Sequence, residues 1–503
     1  MLAIPRHLAI RHSRRAAAVV AALAAVTLVV PPPAPAASST RAAAHHPAGS
    51  AAKKVKPGLD GAPILLEDQG QFSGFDLATD QSTGTAYAGW ISAPTATPGL
   101  RQIHLCVLPP GATGCAGGIL SAQPGDGASA AGIQVTVTAP GTVRLTWFYD
   151  QPAIGKIAQA TYAGGALSAT STVADAPDNG ALLDAVLSPQ GQLWTVVQEA
   201  STPGTQHLLV RNENALVADL TAPYMVSKAA LAFHDGQPVL VADKYGAISE
   251  PVIATSGPAW GGFQPVAKTW NLGGIEDLVG TASGVRLISA EDNAGYRPVV
   301  ARWTGTAFAK RGLTGDKNSC APASHDLVTD PSGRAADVAN ECGQLTLANL
   351  ADTQHAGLAR FPAGGTISSG MPQLTTTQRG FGWVAWAILS PISANRLLVA
   401  PVRLPALIVD KSDSSRGGKV TVEGPADCLP VVTAEAKVRA NPAKGWRVVS
   451  SRLLVDGKDE GRSTLVHGEK AKSGEKFKLT GVAVFAKGSA RSTASQTLKF
   501  SAC

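Results

Sequence analysis

One residue pattern recurs seven times along this chain and constrains its fold more than any other feature. Each copy has a hydrophobic strand with a polar start, a tight turn that ends in glycine, and a second hydrophobic strand. The turn glycines, 45 to 57 residues apart, are Gly84, Gly141, Gly191, Gly236, Gly284, Gly333 and Gly380. A strand-only repeat of this period is typical of β-propeller blades. The sequence predicts an all-β fold with a seven-bladed propeller over residues 61–405.

The strands of each copy predict one four-stranded antiparallel sheet, which buries its two faces only against neighbouring copies. The predicted innermost strands are Ser73–Thr79, Gly132–Thr138, Leu182–Ser188, Lys228–His234, Ile275–Thr281, Ser324–Asp330 and Pro372–Gln378. The outermost strands have weak patterns, as edge strands often do. Aromatic residues in the second strands are expected to pack between blades; they are Trp90, Trp147, Trp383 and Trp386.

The N-terminal residues predict export. Four arginines precede the small-apolar run Ala16–Val30, and Ala34-Pro35-Ala36 fits a cleavage site. Residues 1–36 are therefore predicted to be a signal peptide, and 37–60 a linker rich in Ala, Ser, His, Lys and Pro. The protein is expected to be secreted, with no membrane span after cleavage, and association with the cell wall is left open as an alternative. Sec and Tat export are both open.

The six cysteines agree with export because an even number in a secreted chain indicates disulfides. They are Cys106, Cys115, Cys320, Cys342, Cys428 and Cys503. Six cysteines allow 15 pairings, and pairing of sequence neighbours is favoured because each such pair falls within one predicted unit. None has the spacing of a metal site.

The last hundred residues differ from the repeats in pattern and charge. Residues 410–503 have six to eight short alternating strands, which predict an immunoglobulin-like β-sandwich. Residues 404–503 contain 17 Lys and Arg against 10 Asp and Glu, whereas residues 60–403 contain 18 against 26. This basic module would suit contact with an anionic cell wall, and an ordinary solvated surface is the plainer interpretation. Nothing in the pattern indicates nucleic-acid binding.

Aligning the copies on their turn glycines reveals recurrent polar residues on the innermost strands. The position lies seven places before the turn glycine, or eight in copy one because its turn carries one extra residue. Six of the seven copies have Asp or Gln there: Asp76, Gln134, Asp184, Asp277, Asp326 and Gln373. Copy four has Ala229 instead. These side chains are expected to form a ring around the propeller axis. As a ligand site they would bind a polar group or a cation. In the structural interpretation, which we weight more heavily, they accept backbone N–H bonds and hold neighbouring blades in register.

Searches for established catalytic motifs find none. The chain has no G-x-S-x-G, H-E-x-x-H, Walker A or EF-hand pattern. No metal site and no cofactor are predicted, and Ca²⁺ at the ring of carboxylates is the alternative left open. Catalytic residues cannot be assigned from the sequence.

Residues 61–403 resemble the secreted seven-bladed propellers of actinobacteria, some of them sialidase-like. The resemblance rests on Thr79-Asp80-Gln81-Ser82-Thr83-Gly84-Thr85-Ala86-Tyr87 and on the segment Ile103–Cys115. Sialidase-like propellers carry Asp-box turns, which Ser188-Pro189-Gln190-Gly191-Gln192-Leu193-Trp194 matches in part, with Gln190 in place of Asp. Their catalytic arginines and Tyr–Glu pair have no match here, so no catalytic residue is carried over. The tail resembles bacterial Ig-like modules.

Two classes of function follow. The leading hypothesis is a non-enzymatic binding or scaffold protein that recognises a glycan, a peptide or a protein at one face of the propeller. The alternative is a sialidase-like glycoside hydrolase or lyase with carboxylates at the channel, which requires two carboxyl groups beside one pocket. A third hypothesis is an adhesin whose basic C-terminal domain holds the wall.

Overall fold

A computed structural model shows a chain built almost wholly of β-strands, as the repeat predicts. It describes residues 55–503 except 95–100, 126–128, 152–153, 177–179, 200–204, 235, 246–249, 257–258, 269–271, 282–283, 292–296, 314–324, 330–334, 342–343, 351–356, 368–371, 378, 389–394 and 427. The predicted signal peptide lies outside the described residues, as do Cys320 and Cys342.

The first three blades follow a short N-terminal strand, β1 (Gly58–Leu59). Blade 1 contains β2 (Ile64–Thr79), β3 (Ala86–Pro94), β4 (Gln102–Leu108) and β5 (Leu120–Ala122). Blade 2 contains β6 (Ser129–Ala139), β7 (Thr142–Gln151), β8 (Ile154–Ala163), β9 (Ala166–Leu167) and β10 (Ser171–Ala176). Blade 3 contains β11 (Ala181–Leu187), β12 (Leu193–Glu199), β13 (Gln206–Asn212) and β14 (Ala215–Ala222).

The other four blades repeat this arrangement. Blade 4 contains β15 (Met225–His234), β16 (Gln237–Tyr245), β17 (Glu250–Thr255) and β18 (Gln264–Pro265). Blade 5 contains β19 (Ala267–Lys268), β20 (Leu272–Thr281), β21 (Gly284–Glu291), β22 (Arg297–Trp303) and β23 (Ala307–Leu313). Blade 6 contains β24 (His325–Thr329), β25 (Ala335–Glu341), β26 (Gln344–Leu350) and β27 (Gly357–Pro362). Blade 7 contains β28 (Gln373–Thr376), β29 (Phe381–Ile388) and β30 (Asn395–Arg403).

The innermost strands form a closed cycle, which makes the seven sheets a propeller. In order around the cycle, β2 contacts β6, β6 contacts β11, β11 contacts β15, β15 contacts β20, β20 contacts β24, β24 contacts β28, and β28 contacts β2. Within each blade the long strands pair in antiparallel fashion from the axis outwards. The predicted seven-bladed propeller is confirmed, and each predicted innermost strand overlaps an observed one.

One long strand closes the ring, a feature that the sequence pattern did not predict. Residues 70–79 of β2 form the inner strand of blade 1, whereas residues 64–70 pair with β30 as the outer strand of blade 7. Strand β1 pairs with another part of β30, with Gly58 opposite Arg403. Blades 1 and 7 therefore belong to one continuous sheet. Both closing segments begin near or inside the stretch 37–60 that composition predicts to be a linker.

Hydrophobic residues fill the space between blades, since each sheet is apolar on both faces. The side chains of Trp90 and Trp147 are fully buried, and those of Trp383 and Trp386 are nearly so. Trp147 donates its indole N–H to the carbonyl of Pro124 at 3.0 Å, and Trp386 donates to Ala363 at 3.0 Å. These tryptophans belong to the core, as their position in the second strands predicts.

The C-terminal residues form two sheets. The first contains β31 (Ile408–Ser415), β32 (Gly418–Pro425), β34 (Thr433–Pro442) and β37 (Ser463–His467). The second contains β33 (Cys428–Leu429), β35 (Arg447–Val455), β36 (Lys458–Asp459), β38 (Lys476–Lys487) and β39 (Ala490–Ala502). A shared hydrophobic cluster from both sheets makes this unit a sandwich. In immunoglobulin constant domains the third strand joins the second sheet; here β34 stays beside β32. The Ig-like assignment therefore stays a prediction.

Two of the predicted disulfides are present. Cys106 is bonded to Cys115, and Cys428 is bonded to Cys503, with Cα atoms 5.1 and 5.2 Å apart. The second bridge joins the short strand β33 to the end of β39, which pair in parallel. Across the part of the chain that the structure describes, no helix is long and apolar enough to cross a membrane.

Candidate functional site

The predicted ring residues lie together around one cavity at the propeller axis. This cavity has a volume of about 350 Å³, and all six Asp and Gln residues of the ring line it. Lys228 and Ser227 of blade 4 also face it, together with aliphatic side chains that include Leu77, Leu278 and Leu374. Each ring side chain is partly exposed to this space. The residues that the sequence alignment placed at equivalent positions therefore line the same cavity.

The four aspartates connect neighbouring blades through backbone hydrogen bonds. Oδ2 of Asp76 accepts the N–H of Val135 in blade 2 at 2.6 Å, and Oδ2 of Asp184 accepts that of Leu231 in blade 4 at 2.7 Å. The same bond joins Asp277 to Leu327 at 2.7 Å and Asp326 to Leu374 at 2.5 Å. Each aspartate therefore links its own blade to the next one in the ring.

The second oxygen of these carboxylates is also used locally. Oδ1 of Asp76 accepts the N–H of Leu77, and Oδ1 of Asp184 accepts the N–H of Ala185, each at 2.8 Å. Such local bonds orient the carboxylate toward the neighbouring strand. We call each of these bonds, from a ring aspartate to a backbone N–H of the next blade, a clasp. The clasps agree with the structural interpretation of the sequence pattern.

Blade 4 interrupts the ring, and the exact position differs from the sequence alignment. The clasp of Asp184 reaches Leu231, so the residue that corresponds to the ring position is Ala230 rather than Ala229. In blade 4 the paired residues that flank the turn are His234 and Gln237, so this turn is shorter than the one in blade 3, which Leu187 and Leu193 flank. The count back from the turn glycine of blade 4 is therefore one residue too long.

Backbone packing takes the place of a clasp between blades 4 and 5. A Cβ atom added to Gly280 of β20 would lie 1.8 Å from the carbonyl oxygen of Leu231 in β15. Only glycine allows the two inner strands to approach this closely. The gap in the ring is thus compensated by direct contact of the two strands.

The cavity changes the protonation of the ring. Burial raises the pKa of both Asp76 and Asp184 to about 7, against an ordinary value of 3.8, although backbone N–H bonds oppose this effect. Burial also raises the pKa of Asp277 to about 6, with the Lys228 ammonium group opposing it. The pKa of Asp326 is raised by burial and by the nearby Asp277 carboxylate. Near neutral pH the ring holds both protonated and ionised carboxyl groups.

A buried histidine–aspartate pair lies behind the ring in blade 6. Nδ1 of His325 is 2.9 Å from Oδ2 of Asp337, and both side chains are almost fully buried. The negative charge of Asp337 further raises the pKa values of Asp277 and Asp326. Sequence analysis did not single out Asp337, because it lies on a second strand outside the aligned position.

Asp80 is a second residue that the ring alignment missed. This buried side chain accepts the N–H of Ser82 at 2.9 Å within its own turn and the N–H of Gly141 at 2.9 Å in the first turn of blade 2. Burial tends to raise the pKa of Asp80, but these hydrogen bonds outweigh it and the pKa is lowered. The Asp-box comparison was the signal that could have located it. In blade 3, Ser188 Oγ accepts the N–H groups of Gln190 and Gln192, each at 3.2 Å.

Metal binding finds no support in the grouping of ligands. Within the described ranges, no group of three or more His, Cys, Asp or Glu side chains is arranged to hold a metal ion. In the ring the aspartates are instead spread between blades, with their oxygens directed at backbone N–H groups. Calcium binding at the channel stays a prediction from the sequence.

Comparisons with known proteins identify structures of similar architecture but no family. No family model and no curated protein matches the chain. A protein of unknown function from Dyadobacter fermentans shares 10% identity over 70% of this chain and 99% of its own, with a TM-score of 0.39. An α-L-arabinanase from Penicillium chrysogenum, solved with arabinobiose, shares 12% identity over 68% of this chain and 99% of its own, with a TM-score of 0.38.

An ulvan lyase gives a comparison of the same strength. It shares 9% identity over 70% of this chain and 95% of its own, with a TM-score of 0.39. Identities and scores this low do not transfer activity or substrate. The strands and their cyclic contacts define the class as a β-propeller joined to a β-sandwich.

Proposed function

We propose that this protein is a secreted binding protein whose axial cavity recognises a glycan. The observation that carries the proposal is the mixed lining of the cavity. Gln134, Gln373 and Lys228 offer amide and ammonium groups to ligand hydroxyls, and leucine and valine side chains suit the C–H faces of a sugar. A volume of about 350 Å³ lies within the range of small-ligand sites.

Binding fits the ring better than catalysis does because the aspartates are already engaged. Asp76 and Asp184 each accept backbone hydrogen bonds on both oxygens. A nucleophile or base would have to give up a bond that holds two blades together. By contrast, the side chain of neither ring glutamine has a hydrogen-bond partner among the residues that the structure describes. The glutamines and Lys228 are therefore the residues that we assign to ligand recognition.

One observation favours a second candidate, a glycoside hydrolase or lyase. Carboxyl groups with pKa values of about 6 and 7 share one cavity, and acid–base catalysis at neutral pH needs a protonated and an ionised group together. In this alternative Asp277, beside Lys228, is the ionised group. The ring is then both a clasp and a catalytic site.

One experiment separates binding from catalysis. The secreted protein is titrated calorimetrically with a panel of neutral and acidic oligosaccharides, and the same mixtures are assayed for new reducing ends and unsaturated products. We expect saturable binding without product. Gln134→Leu, Gln373→Leu and Lys228→Met should each weaken it about tenfold, in line with the loss of a hydrogen bond to a ligand.

The matched control is Gln264→Leu, at an exposed position on the outer edge of blade 4. It should bind as the wild type does. Product formation that Asp277→Asn abolishes would replace the binding proposal with the enzyme alternative. Absence of binding across the panel would contradict both.

A further inference from the structure

A second concave site, which shares no lining residue with the axial cavity, lies at the junction of blades 1 and 7. It is a groove of about 840 Å³ on the side of the propeller where the tight turns lie. Residues 60–64, the turn after β2, the turn after β4 and the start of β29 form its walls, and Ser473 of the sandwich borders it. The groove is thus built where the closing strand meets the last blade.

The floor of this closure groove is apolar. Phe381 and Trp383 of β29, Pro401 of β30, Ile64 of β2 and Ala112 line it. The positions come from four separate segments, which the paired sheet of blades 1 and 7 and the Cys106–Cys115 bridge hold in place. A floor of this kind favours an apolar side chain of a ligand.

Two arginines place positive charge at the groove. Arg403 donates from Nε to Asp60 at 2.7 Å and from Nη1 to the carbonyl of Val431 at 2.8 Å, and its guanidinium lies 4.6 Å from the centre of the Phe381 ring. Asp60 is the one acidic residue among the lining residues, and it pairs with Arg403. The charge of Arg379 is not balanced, so the groove has a net charge of one positive unit.

Arg379 has hydrogen-bonding capacity left over. Its Nη2 donates to the carbonyl of Ala471 at 3.0 Å. Its Nε is buried and has no acceptor within the described ranges. A buried donor without an acceptor costs free energy, and the arginine fork matches a carboxylate with two parallel bonds. A carboxylate is therefore a suitable partner for the unpaired donor of Arg379.

We propose that the closure groove binds a peptide segment that carries a carboxylate next to an apolar side chain. The positive charge of Arg379 and Arg403 recognises the carboxylate, and the floor around Phe381 takes the apolar side chain. A peptide suits the groove because it can present a carboxylate to Arg379 next to an apolar side chain for the floor. The carboxylate comes from an Asp or Glu side chain or from a chain terminus. This site is separate from the axial cavity and does not rest on its function.

The test is a selection of displayed ten-residue random peptides on the full-length protein. Selected peptides are resynthesised in three forms: unchanged, with each Asp and Glu replaced by its amide, and with an amidated C-terminus. Affinities are measured by fluorescence anisotropy. We expect every strong binder to lose about tenfold in affinity when one of these two carboxylate sources is removed, and the form that loses it identifies the source.

Three variants connect the peptides to the groove. Arg379→Gln should weaken binding about tenfold, and Thr113→Trp, at an exposed groove position away from the sandwich, should block it without disturbing the arginine contacts. Arg452→Gln, an exposed arginine of the sandwich, should change nothing. Failure to select any peptide, binders without a needed carboxylate, or full binding by Thr113→Trp would overturn the proposal. Competition by a glycan in place of a peptide would do so as well.

Discussion

The ring aspartates combine a structural bond with an unusual protonation state. Each Oδ2 accepts the backbone N–H of the next blade, and burial of the carboxyl group raises its pKa. Because the folded pKa lies above the ordinary value of 3.8, the folded state binds more protons than the unfolded state between about pH 4 and pH 7. The stabilisation is fully present below pH 4 and is lost as the pH rises through 6 to 7.

This linkage predicts that mild acid stabilises the propeller. We expect the free energy of unfolding, measured by denaturant titration, to be higher at pH 5.5 than at pH 8. Asp184→Asn should reduce this pH dependence, by at most about 1.4 kcal/mol per pH unit and by less because the side chain is partly exposed. His104, whose pKa is lowered by burial, acts in the opposite direction in both proteins. Equal pH dependence in variant and wild type would contradict the raised pKa of Asp184.

A single glycine is predicted to be essential at the gap in the ring. Gly280→Ala places a methyl group 1.8 Å from the carbonyl oxygen of Leu231, so two inner strands must separate. We expect a loss of about 2 kcal/mol or more in the free energy of unfolding. Gly262→Ala, where no atom lies within 4 Å of the added Cβ, is the matched control. If the two variants are equally stable, blades 4 and 5 do not pack as described.

At the scale of elements, strands β1 and β2 determine whether the ring closes. Residues 64–70 cover the edge of β30, and the buried Leu66 packs in the cluster shared by blades 1 and 7. Without this segment β30 would present an unpaired edge to solvent, which favours aggregation.

Two deletions test the closure. Removal of residues 37–67 should lower the melting temperature by on the order of 10 °C, because the buried apolar side chains of the closing strand are lost. Removal of residues 37–54, which ends before Val55 and its bond to Thr433, should leave it nearly unchanged. Calorimetry of both truncated proteins measures the difference. Equal melting temperatures would show that the propeller closes without β1 and β2.

The two disulfides should differ in their contribution to stability. Cys428 and Cys503 are 75 residues apart in sequence, whereas Cys106 and Cys115 are 9 apart. Closing a longer loop removes more entropy from the unfolded chain. Cys428→Ser with Cys503→Ser should therefore cost about 3–4 kcal/mol, and Cys106→Ser with Cys115→Ser about 2 kcal/mol less. Denaturation of both double variants checks the order. A larger loss from the short loop would contradict it.

At the scale of the whole molecule, the repeat allowed more to be predicted than the motifs did. The strand–turn–strand period predicted seven blades, and the aligned polar residues predicted the ring, since both depend on local patterning. Closure by β2 was not predictable, because one strand serves two blades and its partner residues Ile64 and Val399 lie at opposite ends of the propeller sequence, outside the repeat pattern. The offset from Ala229 to Ala230 arose from one short turn, and Asp337 lies outside the repeat alignment.

The protein presents two sites of opposite charge. The axial cavity carries four aspartates and one lysine, whereas the closure groove carries two arginines and one aspartate. Different ligand chemistries are expected at each, so binding at one site should not compete with binding at the other. The innermost strands of all seven blades form the axial cavity, whereas blades 1 and 7 and residues 60–64 form the groove.

The central claim is that the aspartates hold the ring together while Gln134, Gln373 and Lys228 recognise the ligand. The most direct test compares Lys228→Met and Asp76→Asn with the wild type. For each protein it measures the dissociation constant for the oligosaccharide of the panel that binds most tightly, and the free energy of unfolding. Lys228→Met should weaken binding about tenfold at unchanged stability, and Asp76→Asn should lower stability by about 1–2 kcal/mol. Lys228→Met that binds like the wild type, or Asp76→Asn that is fully stable, would contradict this account.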